Sequence, residues 1–403
     1  MRRRGHGFVW GLTVIAYVFG RFQGGFVPWF LFYASLVISI YITSVVWFSL
    51  REPEVKRRLS VHRLTAGERL TVRLRYRWHA PLPPSWIYFK DEGDLKPREG
   101  MGWLRFPGWS REGVFEYVLR DLPRGRHRFQ GVEIKSGDVF GLVEKKWDIS
   151  LLEEIVVYPR IREIRVWQPL NEQNTGRSTS TLRVGEDVTS VVGVREYSQR
   201  DPLSRIHWKA TARGQGLKAK EFEHQVSNDF MFLLDCRDSS FAGKGDPLFE
   251  RSVSLTASLA RYAVSRRFSA GLIAWGNRRL HLPTGRSQEH LLRLFEPLAV
   301  IQPEGEIAVG ELLLRESVHL PRGTTTVVIT PGLTSSDVRA IGLLVLRKIK
   351  VEVFWVCHPD SWEEKERSAV GMLDSLGVRV HPVPHDDFGK ITEGGVSFGQ
   401  GSA

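Results

Sequence analysis

Between Phe26 and Leu50 the chain runs for about 25 residues without a charged side chain. A helix needs about 20 such residues to cross a hydrocarbon core of about 30 Å. The run therefore predicts a membrane span, and the remaining residues must fold around that constraint. A shorter apolar run, Gly7 to Gly20, comes first and is separated from it by the polar turn Arg21-Phe-Gln-Gly-Gly. The two runs are read as a transmembrane helical hairpin, residues 1–52. A cleaved signal peptide is the alternative for the first run, given its basic start, although no small-x-small cleavage site is visible. Arg2, Arg3 and Arg4 precede the first run, Arg51, Lys56, Arg57 and Arg58 come after the second, and only Arg21 lies between. The positive-inside rule then places both ends, and the chain beyond them, in the cytoplasm.

The rest of the 403-residue chain is long enough for two folded domains. Its formal net charge of +12 favours an anionic partner: a membrane surface, an acidic protein or nucleic acid. The basic residues are spread along the chain rather than gathered, which disfavours nucleic acid. Cys236 and Cys357 each end an apolar run. They carry neither a disulfide framework nor zinc spacing and read as buried thiols in a reducing compartment.

Residues 53–160 have strand rhythm. Leu70-Thr-Val-Arg-Leu-Arg-Tyr-Arg alternates apolar and polar positions, as a half-buried strand must. Val114 to Leu119, Arg126 to Ile134, Leu142 to Trp147 and Ile155 to Tyr158 continue the pattern between Gly and Pro turns. An all-β sandwich of immunoglobulin-like size is expected. Residues 165–190 are polar and rich in Ser, Thr, Asn and Gly, so they read as a linker. Beyond residue 228 short apolar strands alternate with helices. Strands are expected at 230–236, 270–275, 325–330, 351–357 and 378–383, with helices at 249–267, 288–301, 306–320, 335–350 and 362–376. Such alternation predicts a mostly parallel sheet covered on both faces. Arg279 to Pro283 is expected to pair with 270–275 as a hairpin, and residues 386–403 form a loose tail.

Between these regions lies the stretch with the densest mixture of charge and aromatics, Val194 to His224. Asp201-Pro202 reads as a helix start and Gly214 as its stop, giving about three turns over 202–213. No clean apolar stripe appears on that helix, which suggests a wedge between other elements. The next run alternates, with Glu221 and Glu223 on one face and Lys218, Lys220 and Phe222 on the other. The carboxylates are placed to pair with Arg195, Arg205 or Arg213.

Arg195, Tyr197, Asp201, Arg205, Ile206, Trp208, Lys209, Ala212 and Arg213 resemble the signature of the bacterial "domain of unknown function 58" family. The resemblance implies a membrane-associated protein at the bacterial plasma membrane. It also implies a von Willebrand factor A-like, Rossmann-like α/β domain over 228–385, and a MoxR-type AAA+ ATPase as partner. Residues 161–227 are then a linker plus the signature segment. The family supplies no activity.

Metal-binding A domains end their first strand in Asp-x-Ser-x-Ser, a hydroxyl and carboxylate set suited to a hard divalent cation. Here the stretch is Asp235-Cys-Arg-Asp-Ser239. Asp235 and Ser239 match, but Arg237 competes with a cation, and Pro331 stands where a later Asp is usual. The site is read as degenerate, with no metal and no cofactor. Ala242-Gly-Lys-Gly lacks the full phosphate-loop pattern, and neither His-Glu-x-x-His nor Gly-x-Ser-x-Gly occurs.

Three functions are compatible with these features. The leading expectation is a non-enzymatic membrane scaffold whose signature residues Arg195, Tyr197, Asp201, Arg205, His207, Trp208, Lys209, Arg213, Glu221 and Glu223 lock domains together or grip an acidic partner. Under it, no residue is catalytic, His207 is structural, and Trp208 is a core residue between domains rather than a base-stacking platform. The second is an enzyme with a site at His207, Arg213, Glu221 and Glu223. The third is a nucleic-acid or acidic-surface binder, which requires one contiguous basic face and steep salt dependence.

Overall fold

The computed structural model describes residues 4–95, 102–165, 167, 191–198, 203–214, 216–222, 229–243, 245–320, 323–358 and 364–390. The chain divides into two compact units, Met1–Tyr158 and Pro159–Ala403.

The first unit opens with α1 (Arg4–Gln23) and α2 (Phe26–Ser44), the latter prolonged by a π-helical turn, Val45–Ser49. Among the described residues, one helix is long and apolar enough to cross a membrane, Phe26–Ser49. α1 is of similar length but less apolar. The two run antiparallel, joined by a hydrogen bond of 2.7 Å between the Thr13 and Ser39 hydroxyls and one of 3.1 Å from Trp10 Nε1 to Thr43 Oγ1. Their outward faces carry Phe8, Leu12, Ile15, Phe30, Val37 and Ile40, all exposed.

Among the described residues of this unit come β1 (Glu54–Leu59), β2 (Arg63–Thr65), β3 (Leu70–Arg77), β4 (Trp86–Gly93), β5 (Trp103–Arg105), β6 (Glu112–Leu119), β7 (Gly125–Gly137) and β8 (Glu144–Tyr158). They form two sheets, ordered β1-β3-β6 and β2-β8-β7-β4-β5. Alternation does what the sequence promises. Leu70, Val72, Leu74 and Tyr76 of β3 are buried, while Arg73 and Arg77 point outward to Glu116 and Glu112 of the neighbouring strand. The two sheets share one apolar core, in which Tyr76 of one meets Phe89 of the other with ring centroids 5.3 Å apart. Arg57 is buried in that core. It pairs with Asp91, which also accepts from the Tyr117 hydroxyl, and it donates 2.7 Å to the Leu151 carbonyl.

The second unit contains β9 (Val191–Glu196), α3 (Trp208–Thr211), β10 (Lys218–Phe222), β11 (Asp229–Leu234), α4 (Pro247–Ser265), β12 (Ser269–Trp275) and β13 (Arg279–Gly285). It continues with α5 (Gln288–Val300), α6 (Val309–Glu316), β14 (Thr325–Thr330), α7 (Ser335–Leu346), β15 (Lys350–Val356), α8 (Glu364–Ser375) and β16 (Arg379–Val383). β9 and β10 make a separate antiparallel ribbon. The main sheet is ordered β13-β12-β11-β14-β15-β16, with every pairing parallel except the antiparallel edge strand β13. All six residues of β14 are buried, which requires cover on both faces. Met231, Leu233, Val328 and Val353 pack with α6 and α7 on one side.

The other side departs from the expected linker. Trp167, placed by sequence in a loose segment, is 1% exposed and lies among Phe230, Phe232, Tyr262 and Phe354. Its indole donates 3.0 Å to the buried Glu352 carboxylate. The residues leading to it are bound to α4: Ser254 donates to the Arg160 carbonyl, Ser258 accepts from Arg162 N, and Tyr262 donates to the Trp167 carbonyl.

Candidate functional site

An open α/β sheet binds its ligands beyond the carboxyl ends of its strands, where the strand order reverses. Here the order reverses between β11 and β14, and two stretches leave the sheet side by side at that point. One is Asp235-Cys-Arg-Asp after β11; the other is Thr330-Pro-Gly at the end of β14. Asp235 N donates to the Ile329 carbonyl and keeps the two together.

Asp235 is 1% exposed and Arg237, two residues on, turns back over it. Arg237 N donates to Asp235 Oδ1 at 3.0 Å, Nε contacts both carboxylate oxygens at 3.2 Å, and Nη2 donates to Oδ2 at 2.8 Å. Nη2 also reaches the Gly332 carbonyl at 3.4 Å, and Nη1 lies 3.6 Å from Asp337 Oδ2. The Thr330 hydroxyl sits 2.8 Å from Asp235 Oδ2 and 2.7 Å from the Gly332 carbonyl, so its one proton serves two acceptors. Burial opposes the guanidinium charge. Hydrogen bonds and charge from Asp235, with the charge of Asp337, outweigh it and hold the Arg237 pKa above its ordinary value.

Asp337 comes from the first turn of α7. Its carboxylate caps that helix with Thr334, accepting from Thr334 N at 3.0 Å and from the hydroxyl at 2.7 Å. Its second oxygen accepts from Gly310 N at 2.7 Å. A Cβ at Gly310 would stand 2.9 Å from Asp337 Cα, so only glycine lets α6 approach so closely.

These residues do not fit a divalent cation. Such an ion takes about six oxygen ligands, and both Asp235 oxygens already serve one guanidinium. Ser239, the other expected ligand, stands exposed on a 3₁₀ turn, Asp238–Ser240. Among the described residues its hydroxyl makes no hydrogen bond. The cluster is chemically a fixed ion triad, one cation between two carboxylates, closed by side chains of its own chain.

The signature stretch folds differently from the three-turn helix expected over 202–213. Leu203–Arg205 is a 3₁₀ turn, and Ile206 then bridges to Ala219 as a strand would. Among the described residues of this stretch, the α-helix is confined to Trp208–Thr211. The reason is local. His207 N donates to the Lys218 carbonyl, and His207 Nδ1 accepts from Ala210 N at 3.0 Å, so the imidazole caps a fresh helix start and interrupts the earlier one. Thr211 Oγ1 accepts from Lys218 N at 3.0 Å and ties the short helix to β10.

β10 pairs with β9, setting Ala219 opposite Arg195 and Lys218 opposite Glu196. Tyr197 N donates to the Leu217 carbonyl at 2.9 Å. Ile206 and Ala219 are buried. Trp208 is not the core residue that the sequence suggested: it is 68% exposed, with Lys209 and Arg213 exposed beside it on the same short segment. Among the described residues neither cation forms an ion pair. Asp201 and Glu223, and the side chains of Arg205 and Glu221, lie outside the described residues. The four residues of the expected enzyme site are therefore represented by His207, engaged in a cap, and Arg213, exposed.

A family model for "Protein of unknown function DUF58" matches residues 193–353. The uncharacterized protein YeaD of Bacillus subtilis (strain 168) is 31% identical over 331 residues, covering 80% of this chain and 81% of its own. The chain belongs to the DUF58 family. The matched DUF58 region begins in β9 and ends in β15, so it takes in both the ribbon and the arginine–carboxylate triad.

Solved structures resemble the chain only weakly. A point mutant of the PilB minor pilin from Streptococcus sanguinis is 8% identical with a TM-score of 0.32, over 76% of this chain and 85% of its own. Proximal thread matrix protein 1 from the mussel byssus is 12% identical with a TM-score of 0.30, over 41% of this chain and 43% of its own. Likenesses this weak bear on neither the fold nor the activity of this DUF58 protein.

Two buried residues have contacts that the sequence does not reveal: Asp337 of the triad, and Trp167 on the other face of the sheet. Asp337 was legible as a helix start, because Thr334-Ser-Ser-Asp has capping-box form, but nothing in the sequence linked it to Arg237. Trp167 stood alone in a polar stretch and gave no periodic signal.

Proposed function

We propose that this DUF58 protein is a non-enzymatic, membrane-anchored scaffold that grips an acidic protein partner through its signature ribbon. The observation that carries the reading is the exposure of Trp208 beside Lys209 and Arg213. A large aromatic flanked by cations is the usual composition of a binding hot spot, and a tryptophan serving only the fold would be buried. The MoxR-type AAA+ ATPase implied by the family resemblance is the partner proposed.

The finer architecture is part of the same proposal. α1 and α2 form a transmembrane hairpin, supported by their apolar outer faces and by the Thr13–Ser39 hydrogen bond between them. The charge flanking them supports a cytoplasmic position for the folded units. The two-sheet unit is read as immunoglobulin-like, supported by its shared core. The α/β unit is read as von Willebrand factor A-like, supported by a parallel strand order with an antiparallel edge strand. In that reading Arg237 takes the place of the divalent cation that a metal-dependent A domain uses.

The test is a pull-down from gently solubilised membranes with the intact protein, Trp208→Ala and Arg213→Ala, each variant checked by circular dichroism. The expected result is an AAA+ ATPase recovered with the intact chain and lost with folded variants. Equal recovery with all three removes the ribbon as the partner surface. Absence of any ATPase with the intact chain removes the proposed partner.

A further inference from the structure

One end of the two-sheet unit exposes more aromatic surface than its fold uses. Trp109, 89% exposed, and Phe106 stand on the β5–β6 loop, and Val139 and Phe140, the latter 62% exposed, form the tip of the β7–β8 loop. Trp47 and Phe48, in the last turn of the apolar helix, are exposed as well.

These loops sit where that helix meets the sheets. Trp78 Nε1 donates to the Ser49 carbonyl at 2.7 Å, Leu82 N to the Phe48 carbonyl at 3.3 Å, and Ser49 Oγ to the Pro83 carbonyl at 3.2 Å. Arg111, which closes the Trp109 loop, is bound to the same segment: Trp78 N donates to its carbonyl, and its guanidinium donates to the Pro81 carbonyl at 2.5 Å. The β7–β8 tip reaches further. Phe140 packs edge-on against Tyr41 at 5.9 Å, and Val139 N donates to the Tyr41 hydroxyl at 3.4 Å. Tyr41 lies about 12 Å before Ser49 along a helix rising about 1.5 Å per residue. The tip therefore overlaps the flank of the helix itself, and whatever medium surrounds that flank also meets Phe140.

The tip is also held in shape. Buried Asp138 accepts from Phe140 N at 2.8 Å and from Val143 N at 2.5 Å, and Trp86 Nε1 donates to its carbonyl. Arg51, Arg105 and Arg111 are exposed around the same end.

We infer that this end is a membrane-contact surface, with Trp109 and the Val139–Phe140 tip seated in the interfacial layer of the bilayer that Phe26–Ser49 crosses, and the arginines facing anionic headgroups. Tryptophan and phenylalanine with flanking cations suit that layer. The surface would fix the two-sheet unit against the bilayer instead of leaving it on a tether. The inference rests on the membrane reading of that helix.

Spin labels test it on the full chain, because both native cysteines are buried. Single labels at Ser110→Cys and Val139→Cys leave Trp109 and Phe140 in place. Ile40→Cys reports the helix, and Arg120→Cys, at the far end of β6, reports water. In nanodiscs of phosphatidylcholine and phosphatidylglycerol, accessibility to a water-soluble nickel chelate should be at least threefold lower at 110 and 139 than at 120. Trp109→Asp combined with Phe140→Asp should abolish that difference. If 110 and 139 match 120 while the Ile40 label is in lipid, the contact surface is refuted and the anchor stands. If the Ile40 label is in water, the anchor reading fails and the contact surface with it. Protection in native membranes but not in lipid nanodiscs would assign the surface to a protein partner and overturn the inference.

Discussion

Replacing Arg237 by serine removes the cation between two buried carboxylates. In the structure this guanidinium makes contacts of 2.8 and 3.2 Å with Asp235 and lies 3.6 Å from Asp337, while the two aspartates are 1% and 0% exposed. Breaking such a buried pair from one side costs about 3–5 kcal/mol, because the remaining charge loses its counter-ion without regaining water. For a unit of this size about 1 kcal/mol lowers Tm by roughly 2–4 °C, so Arg237→Ser should melt about 6–20 °C lower. The assay can be confined to the α/β unit, since both cysteines, Cys236 and Cys357, are buried there. Their labelling by an aromatic disulfide during a thermal ramp reports that unit alone. A divalent cation gives a second arm. With the arginine gone, Asp235, Asp337 and the Thr330 hydroxyl can accept an ion. Mg²⁺ or Mn²⁺ at about 100 times its Kd would restore about 2.7 kcal/mol in the variant and nothing in the wild type. A variant melting within about 2 °C of the wild type, less than the loss of even 1 kcal/mol brings, would refute the claim that the triad is a closed ion cluster holding the two loops. Equal stabilisation of both proteins by the cation would refute the claim that Arg237 holds its place.

The same reasoning extends to other positions. Trp167→Ala should destabilise the α/β unit by about 3–5 kcal/mol in chemical denaturation, since it empties a site lined by four aromatic rings and removes a donor from Glu352. Trp208→Ala should change stability by no more than about 0.5 kcal/mol, because its ring is exposed; a larger loss would return it to a structural role. Burial opposes the Glu133 charge, but hydrogen bonds from Lys146 and Lys135 and their charges prevail and hold its carboxyl below the usual range. A carboxyl with a depressed folded pKa contributes stability above its unfolded pKa and loses it as pH falls through the folded one. Glu133→Gln should therefore be about 1 kcal/mol less stable than wild type near neutrality, with the gap closing in acid below the ordinary carboxylate range. Equal gaps at both pH values would show that the loss is one of packing.

Local periodicity, which the sequence alone determines, set most of the elements. The uncharged run at Phe26 permits little but an apolar helix. The alternation of Leu70 to Arg77 fixes which residues face the core, and the unbroken apolar run at 230–234 demands a sheet covered on both faces. Each of these signals is carried by neighbours in the chain. Arg195, Trp208 and Arg213 also identified the family from their spacing. Tertiary structure decided whatever depended on partners far apart in sequence. Arg237 could be read as competing with a cation, but its seat against Asp337 depends on two loops meeting where the sheet reverses direction. Trp167 lies in a polar stretch, yet a buried carboxylate 185 residues away fixes it in the core. His207 ends a turn that propensity would have continued, because β10 offers its backbone a carbonyl and Ala210 offers its ring an N–H. Propensity sums one-residue preferences, whereas a hydrogen bond supplied by another element outweighs several of them at once.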